Sequence, residues 1–176
     1  MCNDFTIISG PCSAESEEQL FKTAAGLKAL VNPSFFRAGV WKPRTRPGSF
    51  EGVGSKGLVW LNRIKKEFDM PVITEAGCAV HVEKILKHDI KAFWIGARTV
   101  ANPFSVQEIV NAVSDKDITV YIKNPVHPDI ELWTGAIERF LSAGIKTVGA
   151  IHRGFYPYEK THLRNIPRWE IPIELA

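Results

Sequence analysis

Six cations stand at or just beyond the points where short apolar runs give out. Phe35-Phe36 gives way to Arg37, and the same segment continues to Trp41-Lys42-Pro43-Arg44-Thr45. Ala92-Phe93-Trp94-Ile95-Gly96-Ala97 runs to Arg98, Thr119-Val120-Tyr121-Ile122 to Lys123, and Val148-Gly149-Ala150-Ile151 to His152-Arg153. Two further runs end in other polar groups: Val72-Ile73-Thr74 at Glu75, and Ile7-Ile8-Ser9 at Gly10-Pro11-Cys12-Ser13. A guanidinium grips a carboxylate or phosphate through paired N–H donors, and an ammonium does so as a point charge. Arg37, Lys42, Arg44, Arg98, Lys123 and Arg153 repel one another on a shared face unless anions sit among them. The chemistry that suits them is binding of a small polyanion with more than one phosphate or carboxylate.

Such residues need elements that carry them to one face. The apolar, β-branched or aromatic runs predict strands over Phe5–Ser9, Phe35–Val40, Pro71–Thr74, Ala92–Gly96, Ile118–Ile122 and Thr147–Ile151. Between them, charged helix-favouring stretches predict helices over Glu17–Val31, Ser55–Phe68, Ala79–His88, Ser105–Val113 and Ile130–Ala143. Ser16 before Glu17-Glu18-Gln19 suits an N-cap with an acidic first turn. Asn32-Pro33 closes the first helix, and Gly144 follows the last as a C′ glycine does. Near-continuous apolar strands alternating with helices indicate an α/β fold with a parallel sheet under helices. Two architectures satisfy this, an open doubly wound sheet and a (β/α)8 barrel. In both, ligands bind at the carboxyl ends of the strands. A complete barrel takes about 250 residues, so about six βα units in this chain amount to roughly three-quarters of one.

Composition excludes several classes. Of 176 residues, 45% are apolar and 23% charged, which suits a globular domain with a hydrophobic core rather than a disordered or fibrous chain. No composition break separates a second domain, so residues 1–176 read as one. No apolar run approaches the length of a membrane span. A net charge of +3, from 22 basic and 19 acidic residues, is too mild for a nucleic-acid surface, and the cations are not interleaved with aromatics on a basic helix. Cys2, Cys12 and Cys78 form no CxxC pair and no disulfide framework, which points to a reducing, cytoplasmic compartment. His81, His88, His127 and His162 lack metal-ligand spacing and read as surface or core residues. His152 is the histidine expected near a ligand.

Taken in order, five segments resemble a known family. They are Gly10-Pro11-Cys12-Ser13-Ala14-Glu15; Lys42-Pro43-Arg44-Thr45 with Ser49-Phe50-Glu51-Gly52-Val53-Gly54; Ile95-Gly96-Ala97-Arg98; Lys123-Asn124-Pro125; and His152-Arg153-Gly154-Phe155. Together they resemble type I 3-deoxy-D-arabino-heptulosonate 7-phosphate (DAHP) synthase, in the short branch related to 3-deoxy-D-manno-octulosonate 8-phosphate (KDO8P) synthase. Lys42-Pro43-Arg44-Thr45 is of the DAHP type, where the sister enzymes carry a Lys-Ala-Asn-Arg type segment. The tracts at 98–104 and 166–175 look most like forms fused to a chorismate mutase domain.

The resemblance implies a (β/α)8 TIM barrel, here incomplete. It also implies condensation of phosphoenolpyruvate with erythrose 4-phosphate, releasing phosphate, as the first step of the shikimate pathway to aromatic amino acids. Carried over by motif, Arg37 and Lys42 hold the phosphoenolpyruvate carboxylate, and Arg98, Lys123 and Arg153 hold its phosphate. Arg44 and Thr45 hold the sugar phosphate. Lys42 and Glu75 are the catalytic candidates, Glu75 orienting water or a neighbouring cation. Cys12 is the implied ligand of a divalent metal such as Mn²⁺. The family's other ligands, a His, a Glu and an Asp, belong to later segments including Asp-Pro-Ser-His, which has no counterpart before Ala176. The expected partners are therefore phosphorylated small molecules, a second copy in a homo-oligomer, and a chorismate mutase domain in a longer form. An inactive phosphate-binding remnant and a KDO8P synthase-like activity are the alternatives.

Overall fold

The computed structural model describes residues 5–44 and 46–175. The chain divides into two compact units, each with its own packing: residues 1–75 with 84–92, and residues 76–83 with 93–176.

In the first unit, strands β1 (Ile8–Ser9), β2 (Phe35–Arg37) and β3 (Val72–Ala76) lie parallel in chain order. Ile8 registers with Phe35, and Phe36 with Val72. Helix α1 (Glu17–Leu30) follows β1, and α2 (Ser55–Glu67) follows β2. The hydroxyl of Ser16 accepts from the Gln19 amide and caps α1, while Gln19 Oε1 accepts from the Glu15 amide. Both ends of the segment are thus tied by side chains, as a capping box does. Leu20, Ala24, Leu58, Leu61 and Ile64 bury the inner faces of these helices around Phe36, Val72 and Ile73. The last turn of α3 (Ala79–Lys87) belongs here too; beyond it, Lys65 pairs with Asp89 at 2.6 Å.

In the second unit, β4 (Ala92–Ile95), β5 (Thr119–Lys123) and β6 (Thr147–Ile151) follow one another in the sheet. The register of β5 and β6 runs from Thr119↔Thr147 to Lys123↔Ile151. Helices α4 (Ala97–Val100) and α5 (Pro103–Val113) follow β4, α6 (Ile130–Ser142) follows β5, and α7 (Glu170–Leu175) comes last. Asn102 and Asp129 cap α5 and α6 through their side-chain oxygens. All four residues of β4 are buried, and Val106, Ile109, Val110, Trp133 and Phe140 complete the core. Trp133 is fully buried without an orphan donor, because its Nε1 donates to the Ile122 carbonyl at 3.0 Å.

Five predicted helices and six predicted strands are found. The differences fall at their ends. β2 stops at Arg37: Ala38 N still donates to Ile73 O of β3 and Gly39 N to Cys12 O, but Val40 N donates to the Thr74 hydroxyl in place of a backbone carbonyl. Helix α4, which was not predicted, occupies the segment holding Arg98. Among the described residues, no helix is long and apolar enough to cross a membrane.

Candidate active site

Each unit carries some of the predicted site residues. In the first, the segments after β1 and β2 are stitched together. Ser13 and Gly39 form a parallel bridge, and Ala14 N donates to Gly39 O at 3.0 Å. Lys42 then returns to this seam. Its ammonium donates to the Cys12 carbonyl and lies 3.4 Å from Cys12 Sγ. Gly39 leaves the room for this: a Cβ there would stand 2.9 Å from Lys42 Nζ. Gly10 plays the same part for Arg37. Its φ is +147°, and a Cβ would collide with the Arg37 carbonyl oxygen.

The electrostatic result is legible at Cys12, an exposed free thiol. Burial of part of the group raises its pKa, but Lys42 and Arg37 outweigh this and hold the thiol below its ordinary value. Cys12, Arg37 and Lys42 are therefore neighbours. Arg44 is turned toward its own loop, where Nε donates to Phe50 O at 2.8 Å. That loop is tied down by Lys42 N to Glu51 O and Gly54 N to Val40 O. Glu75 is half-buried on β3. Thr45 lies outside the described residues.

In the second unit, Lys123 ends β5 and its ammonium sits 4.8 Å from the centroid of the Trp94 ring, a cation–π contact. Arg98 belongs to α4 rather than to a strand end. Arg153 follows β6 and is half-buried. Burial lowers its pKa, and the charges of Arg164 and Arg98 lower it further. Arg98 and Arg153 thus share one field. His152 packs among aromatic rings, 5.1 Å from Trp169, 5.6 Å from Phe155 and 6.4 Å from Trp133. Its Nε2 accepts from the Arg168 amide at 3.3 Å, while its Nδ1 is buried without a partner.

Asn124 is a residue to which sequence reasoning gave no role. It is fully buried and satisfied on both sides. Its Oδ1 accepts from Arg153 N at 2.6 Å, and its Nδ2 donates to Gly154 O at 3.0 Å and Pro125 O at 2.8 Å. The signal was present in Lys123-Asn124-Pro125, an amide side chain at a strand end. Asn165, which accepts from Arg153 Nη2 at 2.8 Å, had no local signal because its partner is 12 residues away.

Among the described residues, no three His, Cys, Asp or Glu groups are placed to hold a metal ion. Cys12 supplies one donor, so these residues alone do not fit a divalent centre. A cleft of about 500 Å³ between α5 and α6, lined by Gln107, Asn111, Glu138 and Arg139, includes none of the predicted site residues.

Residues 2–168 match the model of the DAHP synthetase I family. The chain belongs to that family. Among relatives of the DAHP synthetase I chain, the phospho-2-dehydro-3-deoxyheptonate aldolase of Thermotoga maritima is 32% identical over 170 residues. That alignment covers 96% of this chain and 48% of the relative. The solved structure of a Thermotoga maritima DAHP synthase superposes with a TM-score of 0.82 at 31% identity, covering 96% of this chain and 47% of that one. A 2-dehydro-3-deoxyphosphooctonate aldolase of Cupriavidus taiwanensis is 38% identical over 77 residues, 40% of this chain and 27% of the relative. The DAHP synthetase I chain therefore spans about half the length of the Thermotoga relatives. Its fold is that of the (β/α)8 barrel family, represented by six βα units.

Proposed function

We propose that this chain carries the phosphoenolpyruvate-binding half of a DAHP synthase, the enzyme that joins phosphoenolpyruvate to erythrose 4-phosphate. The observation that carries this reading is the pairing of family membership with two preorganised cation groups. These are Lys42 and Arg37 around Cys12, and Arg98 with Arg153, the latter clasped by Asn124 and Asn165.

In this reading Arg37 and Lys42 take the carboxylate, and Arg98, Lys123 and Arg153 take the phosphate. Arg44 and Thr45 take the phosphate of the aldehyde sugar, and Glu75 orients water or a neighbouring cation. The methylene carbon of phosphoenolpyruvate forms a bond to the aldehyde carbon, whose oxygen gains a proton. Water adds at C2, and the C–O bond to phosphate breaks to release inorganic phosphate. Fixed cations stabilise the charge that develops on the way, because they need no reorganisation when it appears. Lys42 is the nearest ammonium to the Cys12 seam and is the candidate for moving a proton there.

The test is a turnover assay with phosphoenolpyruvate and Mn²⁺, comparing erythrose 4-phosphate with arabinose 5-phosphate. Phosphate release that depends on erythrose 4-phosphate supports the reading. Dependence on arabinose 5-phosphate instead favours the KDO8P-type activity, consistent with the partial Cupriavidus likeness. Binding of phosphoenolpyruvate without turnover identifies a binding unit that lacks a complete catalytic set.

A further inference from the structure

Arg153 is held from two sides, by Asn124 at its backbone and by Asn165 at its guanidinium. Asn165 owes its place to a small antiparallel bridge, in which Phe155 N donates to Ile166 O at 2.9 Å and Ile166 N to Phe155 O at 2.8 Å. Gly154 permits the close approach. Its φ is +75°, and a Cβ would stand 3.0 Å from Ile166 O and 3.1 Å from Asn165 Cβ. The bridge thus lays the segment 164–166 against 153–155, and Arg164 comes with it. The charge of Arg164 is felt at Arg153 together with that of Arg98. Among the described residues, no carboxylate pairs with Arg153 or Arg164, whereas Arg168, in the same loop, is paired with Glu170.

We propose that Arg164, presented by the Phe155–Ile166 bridge, is a further anion-binding residue, a third guanidinium beside Arg98 and Arg153 for one phosphate group. Holding Arg164 near the half-buried Arg153, with no carboxylate paired to either among the described residues, is unfavourable in the empty state and becomes favourable when a dianion sits between them. A loop braced by backbone hydrogen bonds on a rigid strand end is where such a residue works. The inference rests on the phosphoenolpyruvate reading only for the identity of the anion; the guanidinium cluster stands without it.

Titration calorimetry of the full chain, first with inorganic phosphate and then with phosphoenolpyruvate, tests it. Arg164 is exposed, so Arg164→Gln leaves the fold intact, which circular dichroism checks. Phosphate affinity is expected to fall about tenfold in Arg164→Gln, as for loss of one charge-assisted contact. It falls less in Arg164→Lys, which keeps the charge and loses the fork. Arg168→Gln, the control for net charge, stays within about twofold. Wild-type affinity in Arg164→Gln, equal losses in Arg164→Gln and Arg168→Gln, or no phosphate binding by the wild type each overturns the inference. Phosphate binding with this pattern but no affinity for phosphoenolpyruvate leaves the inference standing and removes the functional reading instead.

Discussion

The side-chain oxygen of Asn124 lies 2.6 Å from the Arg153 amide nitrogen, and its amide reaches the Gly154 carbonyl at 3.0 Å. One buried side chain therefore joins the end of β5 to the loop after β6 and sets the backbone from which Arg153 projects. Asn124→Ala leaves those buried groups without partners and is expected to cost about 1–3 kcal/mol, measured by urea denaturation. Anion affinity at Arg153 should fall in the same variant. In the first unit the matching device is Lys42 beside Cys12. Removing its charge in Lys42→Met should move the midpoint of Cys12 alkylation to higher pH, since Lys42 and Arg37 together overcome the upward pull of burial. An unmoved midpoint contradicts the pairing. At this scale the sequence was informative about charge and silent about reach. Arg37, Lys123 and Arg153 were visible because a cation after an apolar run is a local pattern. Asn165 was not, because its partner is set by a loop that closes over many residues.

Helix ends show where local rules suffice. Asn32, Asp69, Asp89, Asp115 and Gly144 all follow helices and all have positive φ, from 44° to 78°. Asn, Asp and Gly are the residues that tolerate this left-handed conformation at a helix C-terminus. Gly144→Ala should cost about 1 kcal/mol through its φ of +78°, read as a lowered melting temperature. Gly144 and Ser16 were legible for this reason, each acting within one turn. Helix α4 was not legible: Ala97–Val100 is a single turn, too short for periodicity to register. The loop after β6 offers a pH test. Burial pulls the His152 imidazole below its ordinary pKa, partly offset by Glu170. The folded state therefore binds this proton less readily than the unfolded chain. Stability from neutral His152 is complete above about pH 6.5, the ordinary imidazole value, and is lost as the pH falls from there through the lower folded value. The melting-temperature advantage of wild type over His152→Gln should shrink on acidification across that range; a constant difference contradicts the burial of His152.

Across the whole chain, the ordered motifs carried the family because their order along the sequence is specific where any one of them is less so. The match over residues 2–168 and the 0.82 TM-score bear this out. The chain corresponds to about half of the Thermotoga proteins, so an activity known for the whole comes to this chain as a proposal. What both units share is fixed positive charge, and that is the property to measure. Calorimetry with phosphoenolpyruvate, at low and at high salt, compares wild type with Arg37→Gln and Arg153→Gln. The account predicts salt-sensitive binding, weakened about tenfold or more by either substitution. Affinity that survives both substitutions, or no phosphoenolpyruvate binding by the wild type at low salt, contradicts it.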